Sequence, residues 1–490
     1  MAIAMCSVVW HCVHQINERE CKSTAFLRNM QIFLVKSEKK CNFAGEMKRI
    51  LFIFIALLNT LVFYAQYRTQ VLNSSIRTLR MRYLSEALEP SGNAIRPYLI
   101  LPENGVIDGS EVENTLEISF DEMSHDVKQF SYTILHCNYD WTPSTISSYE
   151  YVEGFTSVDI VDYAQSINTQ QSYTHYTFVF PNNDMQLTAS GNYVLLIYED
   201  GDVEKTVAEV CFSVVEPLVG IDANVRYNTD IELNGRYQQL DIDIQTSSLN
   251  VRDVQEVKLV VQQNGRWDNR VVVDKPTFIE PNRLRYISQK ALIFEGGNEF
   301  RHFDAYSTYY AGYHVDAVRY GQGEYHVFLD VDEVRGTMHK MAGREGTVYL
   351  SEQDADGQFV VNCEKAENVD TEAEYVWVNF ILPVTHPLID ANLFVGGDIF
   401  YNQYTMDNMM YYDSGEKCYL ARAYIKQGGY NYMYYAVKAI GQVQMRGSRA
   451  EASLLPIEGS HWQTKNEYSV RVYYRPFGGR YDRLVGCKVM

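Results

Sequence analysis

With 490 residues the chain has room for about three domains. Its 46% apolar and 21% charged content excludes wholesale disorder, and its size removes any need for disulfide or metal staples. The net charge of −19 argues against a nucleic-acid scaffold and against docking on anionic lipid, since both need concentrated Lys and Arg.

The chain opens with a basic, cysteine-rich stretch over residues 1–46 that resembles nothing downstream. Met47, Lys48 and Arg49 then lead into Ile50 to Tyr64, an apolar run of 15 residues closed by the small residue Ala65. A membrane-spanning helix needs roughly 20 apolar residues, so this run fits a secretory signal peptide over 47–65. The rival is an uncleaved anchor. Residues 1–46 are expected to be a misassigned extension, with translation starting at Met47; the rival there is a genuine N-terminal domain. Residues 1–65 hold 8 Lys/Arg and 4 Asp/Glu, which takes the remaining chain from −19 to −23. Cys137, Cys211, Cys363, Cys418 and Cys487 lie far apart with no CxxC pair, so zinc ribbons and redox motifs are absent. Cys137 and Cys211 could bridge two strands, but a largely disulfide-free protein is expected. No other run is long and apolar enough to anchor the chain in a membrane.

Beyond a polar stretch at 66–94, apolar residues alternate with period two, the signature of strands. The pattern predicts strands at Asn114 to Phe120, Phe130 to Leu135, Tyr176 to Phe180, Tyr193 to Tyr198 and Ala208 to Val215. Asn264-Gly265, between Val257 to Gln263 and Arg266 to Val273, predicts a tight hairpin. Later strands are expected at Tyr325 to Val331, Thr347 to Leu350, Tyr375 to Leu382, Tyr430 to Val437 and Tyr468 to Tyr474. Many short strands and almost no helical periodicity predict an all-β protein of tandem immunoglobulin-like β-sandwiches. Glu216-Pro217 and the prolines at 383 and 387 divide it into an N-terminal sandwich at 90–217, a middle β-rich domain at 218–383 and a C-terminal sandwich at 384–490.

Motifs with a chemical reading are few. Asp354-Ala355-Asp356-Gly357 starts like a calcium loop, but Phe359 and Lys365 occupy the positions that need Gly and Glu, so a β-turn is expected. His136 and Cys137 are adjacent on a strand, so they point to opposite faces and cannot form a base–nucleophile pair. No GxSxG, HExxH, Walker A or Rossmann glycine pattern occurs. The chain is expected to be non-enzymatic, with no cofactor, metal or small-molecule substrate. The last unit carries Gly396-Gly397-Asp398, an aromatic segment and Gly428-Gly429-Tyr430-Asn431-Tyr432. That layout looks like early-set sandwiches related to starch-binding modules. Tyr404, Tyr411 and Tyr432 are therefore candidates for a surface that stacks on glycans or meets a protein partner.

Several stretches in order carry a wider resemblance. They are His136-Cys137-Asn138-Tyr139-Asp140-Trp141, Ser190-Gly191-Asn192-Tyr193, Gly297-Asn298-Glu299-Phe300-Arg301 with Phe303-Asp304, Gly396-Gly397-Asp398, and Arg480-Tyr481-Asp482. Through these the chain resembles the plug family of the Bacteroidota type IX secretion translocon, over residues 80–490. The resemblance implies a periplasmic protein, associated with the outer membrane, that seals the pore of a large outer-membrane β-barrel translocon when it is idle. The alternative is a glycan-binding sandwich protein of the cell envelope. Trp141, Gly191, Asn192, Tyr193, Asn298, Arg301, Asp304, Gly397 and Asp398 are expected to be structural, with Arg301 and Asp304 pairing inside the middle unit.

Overall fold

A computed structural model describes residues 66–84 and 98–490, apart from 125, 230–234, 342–345, 353 and 439–451. The expected extension and signal peptide at 1–65 lie outside the described residues. The described chain is all-β, built from sandwiches as expected. No helix among the described residues is long and apolar enough to cross a membrane.

In the first sandwich one sheet runs in the order Gln70–Val71, Thr206–Val215, Gly191–Glu199, Phe130–Cys137, Val158–Ile160. The facing sheet is Ile76–Tyr83, Leu116–Glu122, Thr174–Phe180, Tyr163–Gln165. Between them lies a core rich in rings, with Phe120 stacked on Tyr176 and Tyr193 on Phe212. The sandwich thus begins well before residue 90. A bulge explains why the sequence hides its first long strand. The register slips between Arg77 and Arg80, and Thr78 takes a φ of 50°, so Ile76 and Leu79 face the core on opposite sequence parities.

The other two sandwiches are nested, not consecutive. Val257–Gln263 pairs along its whole length with Tyr468–Tyr474, which in turn pairs with Arg483–Val489. This sheet, edged by Val271–Val273, faces a second one built on Tyr237–Gln245. The middle sandwich is therefore completed by the C-terminal strands. The third sandwich is inserted before them. One of its sheets centres on Gly428–Lys438, bonded to Arg301–Asp304, Phe359–Val361 and Ala391–Gly396. The other runs Val315–Gly321, Glu324–Leu329, Tyr375–Pro383, Cys418–Lys426, Tyr411–Asp413. The boundary expected at 383/384 falls inside this sheet, because Tyr375–Pro383 pairs with Cys418–Lys426 up to Pro383 itself. Those prolines end a strand rather than a domain.

Two further expectations give way to tertiary contacts. Asn264 and Gly265 do take the positive φ values of a tight turn, but the strand resumes at Val271. Arg266 and Trp267 are drawn out of it, the first over the Tyr435 ring and the second against Trp141. Residues 347–350 form no strand; the Val348 backbone is bonded to Arg335 and to the Asn298 side chain instead. Asp354 to Gly357 is a turn, as expected, with Gly357 at φ 92°.

Candidate interaction surfaces

The side chains most able to do chemistry are consumed in holding the sandwiches together. Between the first and third, Lys426 Nζ lies 2.7 Å from Asp121 Oδ2, with both side chains buried. Tyr375 donates its hydroxyl to the same oxygen at 2.7 Å, and His175 Nδ1 lies 2.6 Å from Asp121 Oδ1. Burial would push the Asp121 carboxyl up, but the Lys426 ammonium and His175 outweigh it and hold it below its ordinary value. Burial lowers Lys426.

Between the first and second sandwiches the sequence motifs meet one another. Asn192 is fully buried; its amide donates to Asn138 O at 3.0 Å, and its Oδ1 accepts from Ser213 and from Tyr473 across the junction. Asp482 accepts from the Tyr139 backbone N–H at 3.1 Å and pairs with Arg475, which donates on to Asn138. Trp141, at φ 67°, sits edge-on to Trp267 at 5.2 Å. Gly191 has no room for a side chain, since a Cβ would strike the His136 ring. Tyr193 returns its hydroxyl to Ala189 O at 2.8 Å, a tyrosine corner, and Tyr430 repeats the device on Lys426 O in the third sandwich.

Arg301 does pair with buried carboxylates, but Asp304 is not one of them. Three positions apart on a strand, the two side chains leave opposite faces. Arg301 meets Asp332 Oδ1 at 2.6 Å and both oxygens of Glu458 at 3.0 Å. Tyr432 and Tyr434 both donate to Asp332 Oδ2, at 2.8 and 2.6 Å. Tyr432 is thus a core residue and no part of a stacking surface. Tyr404 is half-buried between Phe394 and Tyr435, with its hydroxyl 3.4 Å from Asp268 of the middle sandwich. Of the three candidate tyrosines, Tyr411 is the one left in solvent, at 60% exposure. Asn298 is buried, donating to Val348 O and Glu458 O. Gly397, at φ 146°, lies against Asn431 O, and Asp398 accepts from Asn402.

Among the described residues His136 and Cys137 form no base–nucleophile pair. His136 is buried and neutral, lowered to about 4 by desolvation, while burial pushes the neighbouring Cys137 thiol up to about 12. All five cysteines among the described residues are free thiols. No group of three or more His, Cys, Asp or Glu among the described residues could hold a metal ion.

Several large aromatic side chains face solvent. Phe477 stands 91% exposed at the tip of the final hairpin, and Tyr309 78% exposed on a loop of the third sandwich. The broader feature is the outer face of that sandwich's five-stranded sheet. Register places Arg319, His326, Trp377 and Tyr424 in one row across four strands, and Ala317, Phe328, Asn379 and Arg422 in the next. Their alternates Val327, Val376, Val378, Ala423 and Ile425 fill the core, so these rows point outward. Arg422 stacks on Trp377 at 4.0 Å and Arg319 on Phe328 at 5.0 Å. A groove of about 530 Å³ runs from Trp377 and Tyr424 to the segment Gln70 to Thr78. Sequence reasoning missed this face because it belongs to four strands that are separate in the sequence.

Residues 105–216, the bulk of the first sandwich, match the family model for the type 9 secretion system plug protein 1st domain. A crystal structure of a hypothetical protein from Parabacteroides merdae ATCC 43184 is similar at 34% identity and a TM-score of 0.77. The match covers 87% of this chain and 99% of that one. No curated protein matches.

Proposed function

Because the chain belongs to the type 9 secretion system plug protein family, we propose that it is a non-enzymatic protein of the periplasm that seals the pore of the secretion system's outer-membrane β-barrel translocon when no cargo is engaged. One observation carries this reading. Every pair of sandwiches is joined by buried side chains: Asp121 with Lys426, Asn192 with Tyr473, and Arg266 over Tyr435. A seal against a pore wide enough for folded cargo must not flex open, and buried polar junctions resist the hinge motion expected of loosely joined domains. Exposed Tyr, Trp, Phe and Arg supply contact area suited to a protein partner. The glycan-binding alternative loses its platform, since Tyr432 is in the core and Tyr404 is in a junction.

The test is a pull-down of the tagged protein from gently solubilised native envelopes, with identification by mass spectrometry. A stoichiometric, very large outer-membrane barrel is expected. Recovery without a barrel refutes the reading. Deleting the protein is also expected to make the outer membrane leaky to large antibiotics, most of all when the subunit that shuttles cargo from the barrel's lateral gate is missing too.

A further inference from the structure

We propose that the outer face of the third sandwich's five-stranded sheet, with the groove beside it, is a docking site for an acidic, extended segment of a partner protein; the partner being a protein rests on the plug reading. The chain has 62 acidic residues against 43 basic ones, so three arginines without a carboxylate gathered about one sheet face are the feature to explain. Arg80, Arg283, Arg475 and Arg483 each meet a carboxylate oxygen within 2.8 Å. Arg319 and Arg422 meet none among the described residues and make no hydrogen bond; each holds its guanidinium over an aromatic ring. Arg77, on the groove wall, is likewise unpaired among the described residues.

Stacking leaves the guanidinium edge and its N–H donors pointing away from the ring. Arg presents those donors in a rigid fork that matches a carboxylate. In the two central rows, Arg319 and Arg422 alternate with His326, Trp377, Tyr424, Phe328 and Asn379, and no acid interrupts them. The acids lie at the margins: Glu324 one row away, paired with Gly321, Asp407 on the groove rim, and Glu374, whose charge together with that of Glu324 reaches Tyr424. A flat, cationic and aromatic face suits a polypeptide laid across it, with carboxylates on the arginines and apolar side chains on Trp377 and Tyr424. An anionic lipid surface offers similar charge but spreads it over a wide plane, so it brings far more of this acidic molecule against like charge than a single extended segment does.

The probe is a fluorescein-labelled decaglutamate peptide, titrated against the purified protein at low and high salt. Binding that weakens at least tenfold with salt is expected, as is at least a tenfold loss in the double variant Arg319→Glu/Arg422→Glu. Arg252→Glu, at an unpaired arginine of the middle sandwich, should leave binding unchanged. Should the charge reversal unfold the sheet, seen as a lowered melting temperature, Arg319→Gln/Arg422→Gln serves instead. No peptide binding, or equal loss in Arg252→Glu, overturns the proposal. So does loss in the double variant of binding to phosphatidylglycerol vesicles that matches the loss for the peptide. The envelope pull-down separates the two readings. If the double variant keeps the barrel after losing the peptide, the acidic-segment site stands, the barrel docks elsewhere and the plug reading stands. If the wild type binds the peptide but captures no barrel, the acidic-segment site stands and the plug reading falls.

Discussion

Lys426 shows what a single buried charge does here. Its ammonium lies between Asp121, the Asp370 carbonyl and the Tyr173 ring, with no solvent contact. Replacing it with Met leaves Asp121 charged, buried and short of its main partner, a loss of about 3–5 kcal/mol for such pairs. Lys426→Met should therefore lower the urea midpoint sharply, and Lys426→Met combined with Asp121→Asn should recover part of the loss. Near-equal midpoints for Lys426→Met and wild type would show that the pair does not hold the two sandwiches together. Asp398 acts in the opposite sense. Burial, reinforced by the Glu467 charge, raises its carboxyl from 3.8 to about 7. A raised folded-state value contributes stability at acid pH that is lost as pH climbs through 7. That loss begins above the unfolded value of 3.8, so Asp398→Asn should match wild type at about pH 3 and be more stable at pH 8. Denaturation at the two pH values decides; a variant equally displaced at both would place the effect in packing rather than ionisation.

At the scale of elements, most strands could be located from alternation, while their partners could not. Phe130–Cys137 and Tyr468–Tyr474 follow directly from period two. Ile76–Tyr83 does not, because its bulge reverses the parity midway. Tyr375–Pro383 has apolar residues on both faces, so the sequence cannot say that Val376 and Val378 face the core while Trp377 faces out. Nor can alternation reveal that Val257–Gln263 waits for Tyr468–Tyr474, since that pairing depends on the whole intervening sandwich. The motif that holds Gly191 and Asn192 is visible in the sequence, but the contact of Asn192 with Tyr473 is not; nor are the partners of Arg301, because Asp332 and Glu458 come from distant loops. The nested order makes a sharp prediction. A chain ending at residue 463 would be an intact two-domain protein if the units were consecutive. Here it loses the strands that cover Leu259 and Val261, so it should be insoluble or protease-sensitive throughout the middle sandwich. Limited proteolysis followed by mass mapping would show a resistant 218–295 core if this is wrong.

On the scale of the whole molecule, three small sandwiches joined by buried polar pairs should behave as one thermodynamic unit. A single calorimetric transition is expected, with calorimetric and van't Hoff enthalpies in agreement. Resolved transitions for the separate sandwiches would contradict the rigid-body argument on which the sealing role depends. The exposed aromatics then work as fixed studs on a stiff frame, with little conformational entropy to lose on docking.

The insertion of one sandwich inside another also sets an order in time. A chain emerging N-terminus first can close its first sandwich early, but the half-sheet of Val257–Gln263 stays uncovered until Tyr468–Tyr474 and Arg483–Val489 arrive at the very end. Its middle portion is thus held in waiting while the whole third sandwich is made. These two strands act as a completion signal: the middle sandwich cannot close before they are present. A prematurely terminated copy keeps an open apolar sheet, which marks it for chaperones or proteases.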